Sequence, residues 1–287
     1  QVFMQQLEND PFTAFQDSVK LALYQAHPIK KRLTVADVQQ LDYAKALQIY
    51  QQRFANAADF SFAVVGNVDL DAIEPLLEQY VATLPTQKDR EKLTHPILAI
   101  SGKKTVHFTT TMVQPKTTVY ICNYKTGAVS SKQTLVYNLL NAVLDMVYTE
   151  SVREEQGGTY GVSTTVSVNQ LPKPAVYMAI QFQTDSAKVA TLLPIIYDEL
   201  GKIAAQGPKA EHLQKAKEYA KKTYIDQQIN NGYWLNRLVD TQFYGKDNQA
   251  SYLSDLEKIT AKDIQKAAKI LFSSPNLKEI VQVGVSK

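Results

Sequence analysis

An α+β fold, with helices packed on one face of a mostly antiparallel sheet, follows from three observations. Several segments alternate apolar and polar residues, longer segments repeat apolar residues at three- and four-residue steps, and the order is strand, strand, helix, strand, strand, several helices, strand. Residues 105–111 and 117–123 alternate and are separated by a loop containing Pro115, which predicts two strands with one buried face. A helix is predicted over 131–156, where Val136, Leu139, Leu140, Val143, Leu144 and Val147 form one stripe. Gly157 and Gly158 end it. In the next strand Tyr160, Val162, Thr164, Val166 and Val168 share a face, and in the one after it Val176, Met178, Ile180 and Phe182 do. Two helices over about 186–205 and 209–229 are split at Gly207-Pro208, where the chain cannot continue helically.

The chain also repeats itself. From Asn9-Asp10-Pro11 the pattern is a helix to about Tyr24, a loop, Thr34-Val35-Ala36-Asp37, a helix to about Phe54, a strand over 60–65, then Gly66. From Asn230-Asn231-Gly232 it is a helix to about Tyr244, a loop, Thr260-Ala261-Lys262-Asp263, a helix to about Phe272, a strand over 279–283, then Gly284. Both Thr-x-x-Asp segments fit helix N-caps, with a hydroxyl accepting from a first-turn amide and a carboxylate at the positive end of the dipole. About 130 residues of sheet and helix precede the second copy, against eight before the first. Residues 1–95 are therefore expected to be the C-terminal part of a truncated α+β domain, and 96–287 a complete α+β domain. The chain reads as a piece of something longer.

Composition narrows the function classes. Hydrophobic residues make up 45% and charged residues 21%, and no apolar run approaches the ~18 residues of a membrane span, so no membrane partner is expected. A net charge of +3 with no concentrated basic face argues against nucleic acid. A single cysteine, Cys122, excludes an internal disulfide and leaves the compartment open. Gly-x-Ser-x-Gly, Walker and dinucleotide glycine motifs are absent.

One segment carries chemistry: Arg153-Glu154-Glu155-Gln156-Gly157-Gly158-Thr159-Tyr160-Gly161-Val162. Helix, glycine pair and strand bring an arginine and a tyrosine together across one turn, where both can grip a peptide carbonyl. Each has a plainer reading. A cation in a last helical turn is favoured by about 0.3–1 kcal/mol, and Glu150 at i−3 could pair with Arg153. An amphipathic strand tyrosine is usually core with a satisfied hydroxyl. The glycine pair and the strand order favour the functional reading. Glu154 and Glu155 are adjacent on a helix and point about 100° apart, so they are not an acid/base dyad. Cys122 reads as a small buried hydrophobe and His107 as a solvent-facing strand residue. Tyr233-Trp234 reads as packing, and Lys215, Lys217, Lys221 and Lys222 as an outer helix face.

This order of elements, with Arg-Glu-x-x-Gly-Gly-x-Tyr-Gly-Val after the long helix, resembles the insulinase/pitrilysin-type zinc metallopeptidases, the inverzincins. Gly66-Asn67-Val68-Asp69 and Leu84-Pro85, closing the next helix, resemble that family's domain ending. The resemblance covers nearly the whole chain. It implies repeated domains in two halves closing around an unfolded peptide or small protein, with zinc in the amino-terminal half and this chain matching the carboxyl-terminal half. It also implies that Arg153 and Tyr160 bind the substrate backbone and help stabilise the oxyanion. The family's His-x-x-Glu-His is missing: the histidines are His27, His95, His107 and His212, no two within a helical turn. Zinc is thus expected in the full-length enzyme and not on this fragment, which should be inactive alone. The amino-terminal zinc-binding half would be in the same chain or a partner subunit, and a homodimer through the unfinished domain is possible. A bacterial periplasm or envelope is favoured if the full-length chain has a signal peptide. Two alternatives stay open: a non-proteolytic homologue acting as a peptide-binding or structural subunit, and a self-contained peptide-binding module.

Overall fold

The computed structural model describes residues 2–92, 96–154, 159, 161–245 and 249–286. From the amino end come α1 (Val2–Glu8), α2 (Pro11–Tyr24), α3 (Val35–Gln39), α4 (Tyr43–Phe54) and α5 (Leu70–Tyr80). Strands β1 (Lys104–Met112) and β2 (Thr117–Thr126) follow, then α6 (Ser131–Tyr148), which runs into a π-helical turn over Thr149–Glu154. Next are β3 (Val162–Asn169), β4 (Ala175–Thr184), α7 (Val189–Gln206), α8 (Ala210–Gln227), α9 (Asn231–Tyr244), α10 (Tyr252–Lys258) and α11 (Ala261–Phe272), and β5 (Lys278–Ser286) closes the order. Among the described residues no helix is long and apolar enough to cross a membrane.

The chain divides into two compact units, one of residues 1–32, 96–221 and 251–287 and one of 33–95 and 222–250. The first holds a five-stranded sheet in the order β1-β5-β2-β4-β3, with β1 and β5 parallel and every other neighbouring pair antiparallel. Period-two alternation sends Val119 and Ile121 of β2 and Met178, Ile180 and Phe182 of β4 to one face. There they meet Leu140 and Leu144 of α6, Ile196 of α7 and Ile264 and Leu271 of α11, all buried. Each such side chain contributes roughly 1.5–3 kcal/mol by leaving water. The expected helical layer is thus present.

The opposite face is also covered in part, by α2. Phe15 and Ala22 pack on Ile280 of β5 with Val106, Phe108 and Tyr120, and Phe15 meets the Tyr120 ring edge-on at 6.4 Å. The Gln282 side chain donates to Pro11 O (2.7 Å). This packing places residues 1–32 with the sheet, so the compact units differ from a single cut after residue 95.

The second unit is helical and poor in core. In it the Asn56 side chain is buried, accepting from Ala58 N (3.2 Å) and Gln87 N (2.8 Å) and donating to Asp89 O (3.2 Å). Phe54 stacks between Tyr50 and Phe60. Three expectations are corrected here. Residues 60–65 are not a strand: no described strand lies beside them, and Phe60, Phe62 and Val64 stay exposed. The predicted helix from Asp37 to Phe54 breaks at Gln40–Asp42, because Asp42 caps a new helix by accepting from Lys45 N (3.1 Å). Finally α5 ends at Tyr80, before Leu84-Pro85, and Pro85 O accepts from Ala57 N (2.9 Å).

Candidate functional site

The α6 helix begins with a capping box: Ser130 Oγ accepts from Gln133 N, and the Gln133 side chain accepts from Ser130 N. Its apolar stripe buries against the sheet, and at its far end the Tyr148 hydroxyl donates to Ile196 O (3.1 Å), pinning it to α7. The predicted helix to residue 156 does not stay α-helical. From Thr149 the turn widens to π geometry, a feature often found at functional positions. Two hydroxyls accompany this change by bonding carbonyls four residues back: Thr149 Oγ1 donates to Asp145 O (2.7 Å) and Ser151 Oγ to Val147 O (2.8 Å).

The π turn sorts its side chains. Val152 and Ser151 are buried, and Arg153 is exposed. Glu150 does not pair with Arg153 as the plainer reading would have it. Its Oε1 lies 3.0 Å from Nε2 of His212, and its Oε2 lies 3.7 Å from Nζ of Lys209. Among the described residues the Arg153 guanidinium has no hydrogen-bond or ion-pair partner. Tyr160, the second predicted site residue, lies outside the described residues, as do Glu155, Gly157, Gly158 and the side chain of Glu154.

Strand β3 leaves this region as an edge strand, paired among the described residues only with β4. This edge is not fully free. Val166 N donates to the Asn141 side chain of α6 (2.8 Å), whose amide group in turn donates to Asp145 (3.0 Å). That backbone amide is lost to an incoming strand, and the helix thereby protects the middle of the edge. Burial pushes the Asp145 carboxyl above its ordinary value.

The remaining candidates fall elsewhere. Cys122 is buried, and burial pushes its thiol up to about 11, so it is a poor nucleophile. His107 is exposed on β1, 3.5 Å from Glu279. Trp234 Nε1 donates to Gln228 O (2.8 Å), as packing would have it. His27 Nδ1 accepts from Ile29 N, and His95 lies outside the described residues. Among the described residues no three His, Cys, Asp or Glu side chains converge as a metal site requires, so the described residues do not fit a zinc ion. The residue that motif reading passed over is His212. It flanks the buried stripe of Leu213 and Ala216 on α8, a spacing that could have marked it as interior.

A family model, the peptidase M16 inactive domain, matches residues 41–219, well over half of the chain. The chain belongs to that family. Among curated relatives, the Arabidopsis thaliana zinc protease PQQL-like is 22% identical over 261 residues, covering 85% of this chain and 27% of its own length. The probable zinc protease PqqL of Escherichia coli K12 is 22% identical over 251 residues, covering 85% and 26%. This M16 chain thus spans about a quarter of the length of these curated relatives. Solved structures share its fold. The periplasmic protease PqqL from Escherichia coli superposes with a TM-score of 0.83 at 20% identity, over 99% of this chain and 31% of that one. A mutant of the ferredoxin protease FusC, in complex with Arabidopsis ferredoxin, gives 0.78 at 14%, over 99% and 32%. A peptidase M16 inactive domain from Pseudomonas fluorescens gives 0.75 at 18%, over 100% and 69%.

Proposed function

We propose that this M16 domain is the non-zinc-binding, carboxyl-terminal part of a zinc-dependent endopeptidase, and that Arg153 and Tyr160 hold the backbone of an unfolded peptide or small protein. The observation that carries this reading is the exposed Arg153 guanidinium, at the end of a turn in which the side chains described before it are buried or paired. A guanidinium offers five N–H donors in a rigid fork and no acceptor, which suits peptide carbonyls. A phenol adds one directed donor. Residues 1–95 are read as the rest of a neighbouring domain, and the metal as held by an amino-terminal half in the same chain or a partner subunit. Zinc supplies the water-activating chemistry there, and this chain supplies binding and orientation. The zinc proteases among the relatives, and the ferredoxin-bound protease with the same fold, support an unfolded peptide or small protein as substrate. A periplasmic location is in keeping with the Escherichia coli protease.

Peptide affinity of the full-length protein tests the grip. Arg153→Ala and Tyr160→Phe should each weaken binding of an unfolded peptide by about 10- to 100-fold, the worth of a hydrogen bond involving a charged or well-placed donor. Unchanged affinity in both removes the assigned role. Chelation separates the enzyme from a non-proteolytic relative: it should abolish hydrolysis and leave peptide binding intact. A full-length protein that binds peptide and never cleaves it, with zinc supplied, would make the binding-subunit reading the right one.

A further inference from the structure

We propose that His212 is a positioning residue for Arg153, acting through Glu150; the inference rests on the substrate-binding reading of Arg153 above. His212 stands in the first turn of α8 with its side chain 1% exposed. Its Nε2 meets Glu150 Oε1 at 3.0 Å, whereas Nδ1 is buried with no hydrogen-bond partner among the described residues. With Nε2–H donated to the carboxylate, Nδ1 is left as a bare lone pair. A buried imidazole with half of its polar capacity unused is a poor way to fasten a helix, because an apolar ring would fill the same space with nothing left unsatisfied. What the imidazole adds is one directed bond, and it goes to the π-helical turn that carries Arg153.

Glu150 is the right handle for such a bond. It lies three residues before Arg153, and its second oxygen lies 3.7 Å from the exposed Lys209, one turn before His212 along the chain. Among the described residues, Glu211 is the other carboxylate close to the ring, at 4.0 Å from His212 Nε2, and lies on its own helix. The start of α8 therefore grips the turn from two sides. The turn is held by Val152 in the core, by the Thr149 and Ser151 hydroxyls bonding back into α6, and by His212, whose hydrogen bond reaches it from another helix.

The test measures peptide affinity and the kcat against KM split in the full-length protein, for His212→Phe, His212→Gln, Arg153→Ala and the His212→Phe/Arg153→Ala pair. His212→Phe should weaken binding about 3- to 10-fold, and should have no further effect once Arg153 is alanine, since coupled residues are not additive. His212→Gln, which can still donate to Glu150, should recover most of the loss. Should His212→Phe fail to fold, Glu150→Gln weakens the same pair from the solvent side and is expected to act in the same direction. Additive effects in the double variant, or no effect in any single one, overturn the role of His212. A normal Arg153→Ala would instead overturn the binding reading itself, and this inference with it.

Discussion

Thr34 and Thr260 open their helices with the same hydrogen bonds, and the segments that follow them share almost nothing else. In both, the threonine amide and hydroxyl donate to the aspartate three residues on (2.8–2.9 Å), and the aspartate amide returns to the threonine Oγ1, at 3.2 Å in the first copy and 3.4 Å in the second. After Thr260, α11 buries Ile264, Ala267, Ala268 and Leu271, and β5 sits between β1 and β2. After Thr34, neither α3 nor α4 buries a residue, and residues 60–65 remain unpaired among the described residues. Capping needs only the four residues it joins. Strand formation and burial need a partner surface supplied from elsewhere, so the same local signals give different tertiary results.

Core truncation breaks the comparison most sharply. Leu271→Ala, at a fully buried position, should cost about 2–5 kcal/mol in urea unfolding, whereas Leu47→Ala in α4, 40% exposed, should stay within about 0.5 kcal/mol. Equal losses would mean that α4 is packed as α11 is. The glycines that follow the two segments give a smaller contrast. A Cβ on Gly284 would sit 2.6 Å from both the amide and the carbonyl oxygen of Lys116, whereas one on Gly66 meets nothing closer than 3.9 Å. Gly284→Ala should therefore destabilise by about 1–3 kcal/mol and Gly66→Ala hardly at all. The smallest effect is protonic. Burial raises the Asp263 carboxyl, but the amide and hydroxyl of Thr260 together with the charges of Lys132 and Lys266 outweigh it and leave the folded value below the ordinary 3.8. Its stabilisation is complete above that ordinary value and fades as pH falls through the lower one. A Thr260→Ala variant keeps the amide and loses the hydroxyl, so it should lose the hydroxyl's share of that acid dependence, read as a somewhat flatter stability curve below about pH 4.

Much of this was written in the sequence. Alternation gave the helix-facing sides of β2 and β4 but not the burial of β2 on its other face, the apolar steps gave α6, and Gly207-Pro208 gave the break between α7 and α8, with Gly207 at φ 85° where a side chain would be strained. Pairing was not local information: residues 60–65 alternate as a strand should and find no neighbour among the described residues. Nor was the π turn, because Val152 re-enters the core five residues after Val147, a step outside the three- and four-residue pattern of the stripe. The tie from His212 to Glu150 spans 62 residues and leaves no motif. Arg153 could be singled out by its glycine-tyrosine context, whereas its exposure could only be seen in three dimensions.

Steady-state hydrolysis of an unfolded peptide by the full-length protein and its Arg153→Ala variant tests the central claim most directly. If the guanidinium helps to hold the reacting backbone, kcat/KM should fall on the order of 10²- to 10³-fold, the cost of removing one oxyanion donor, with thermal stability and zinc content unchanged. An unchanged kcat/KM would contradict it.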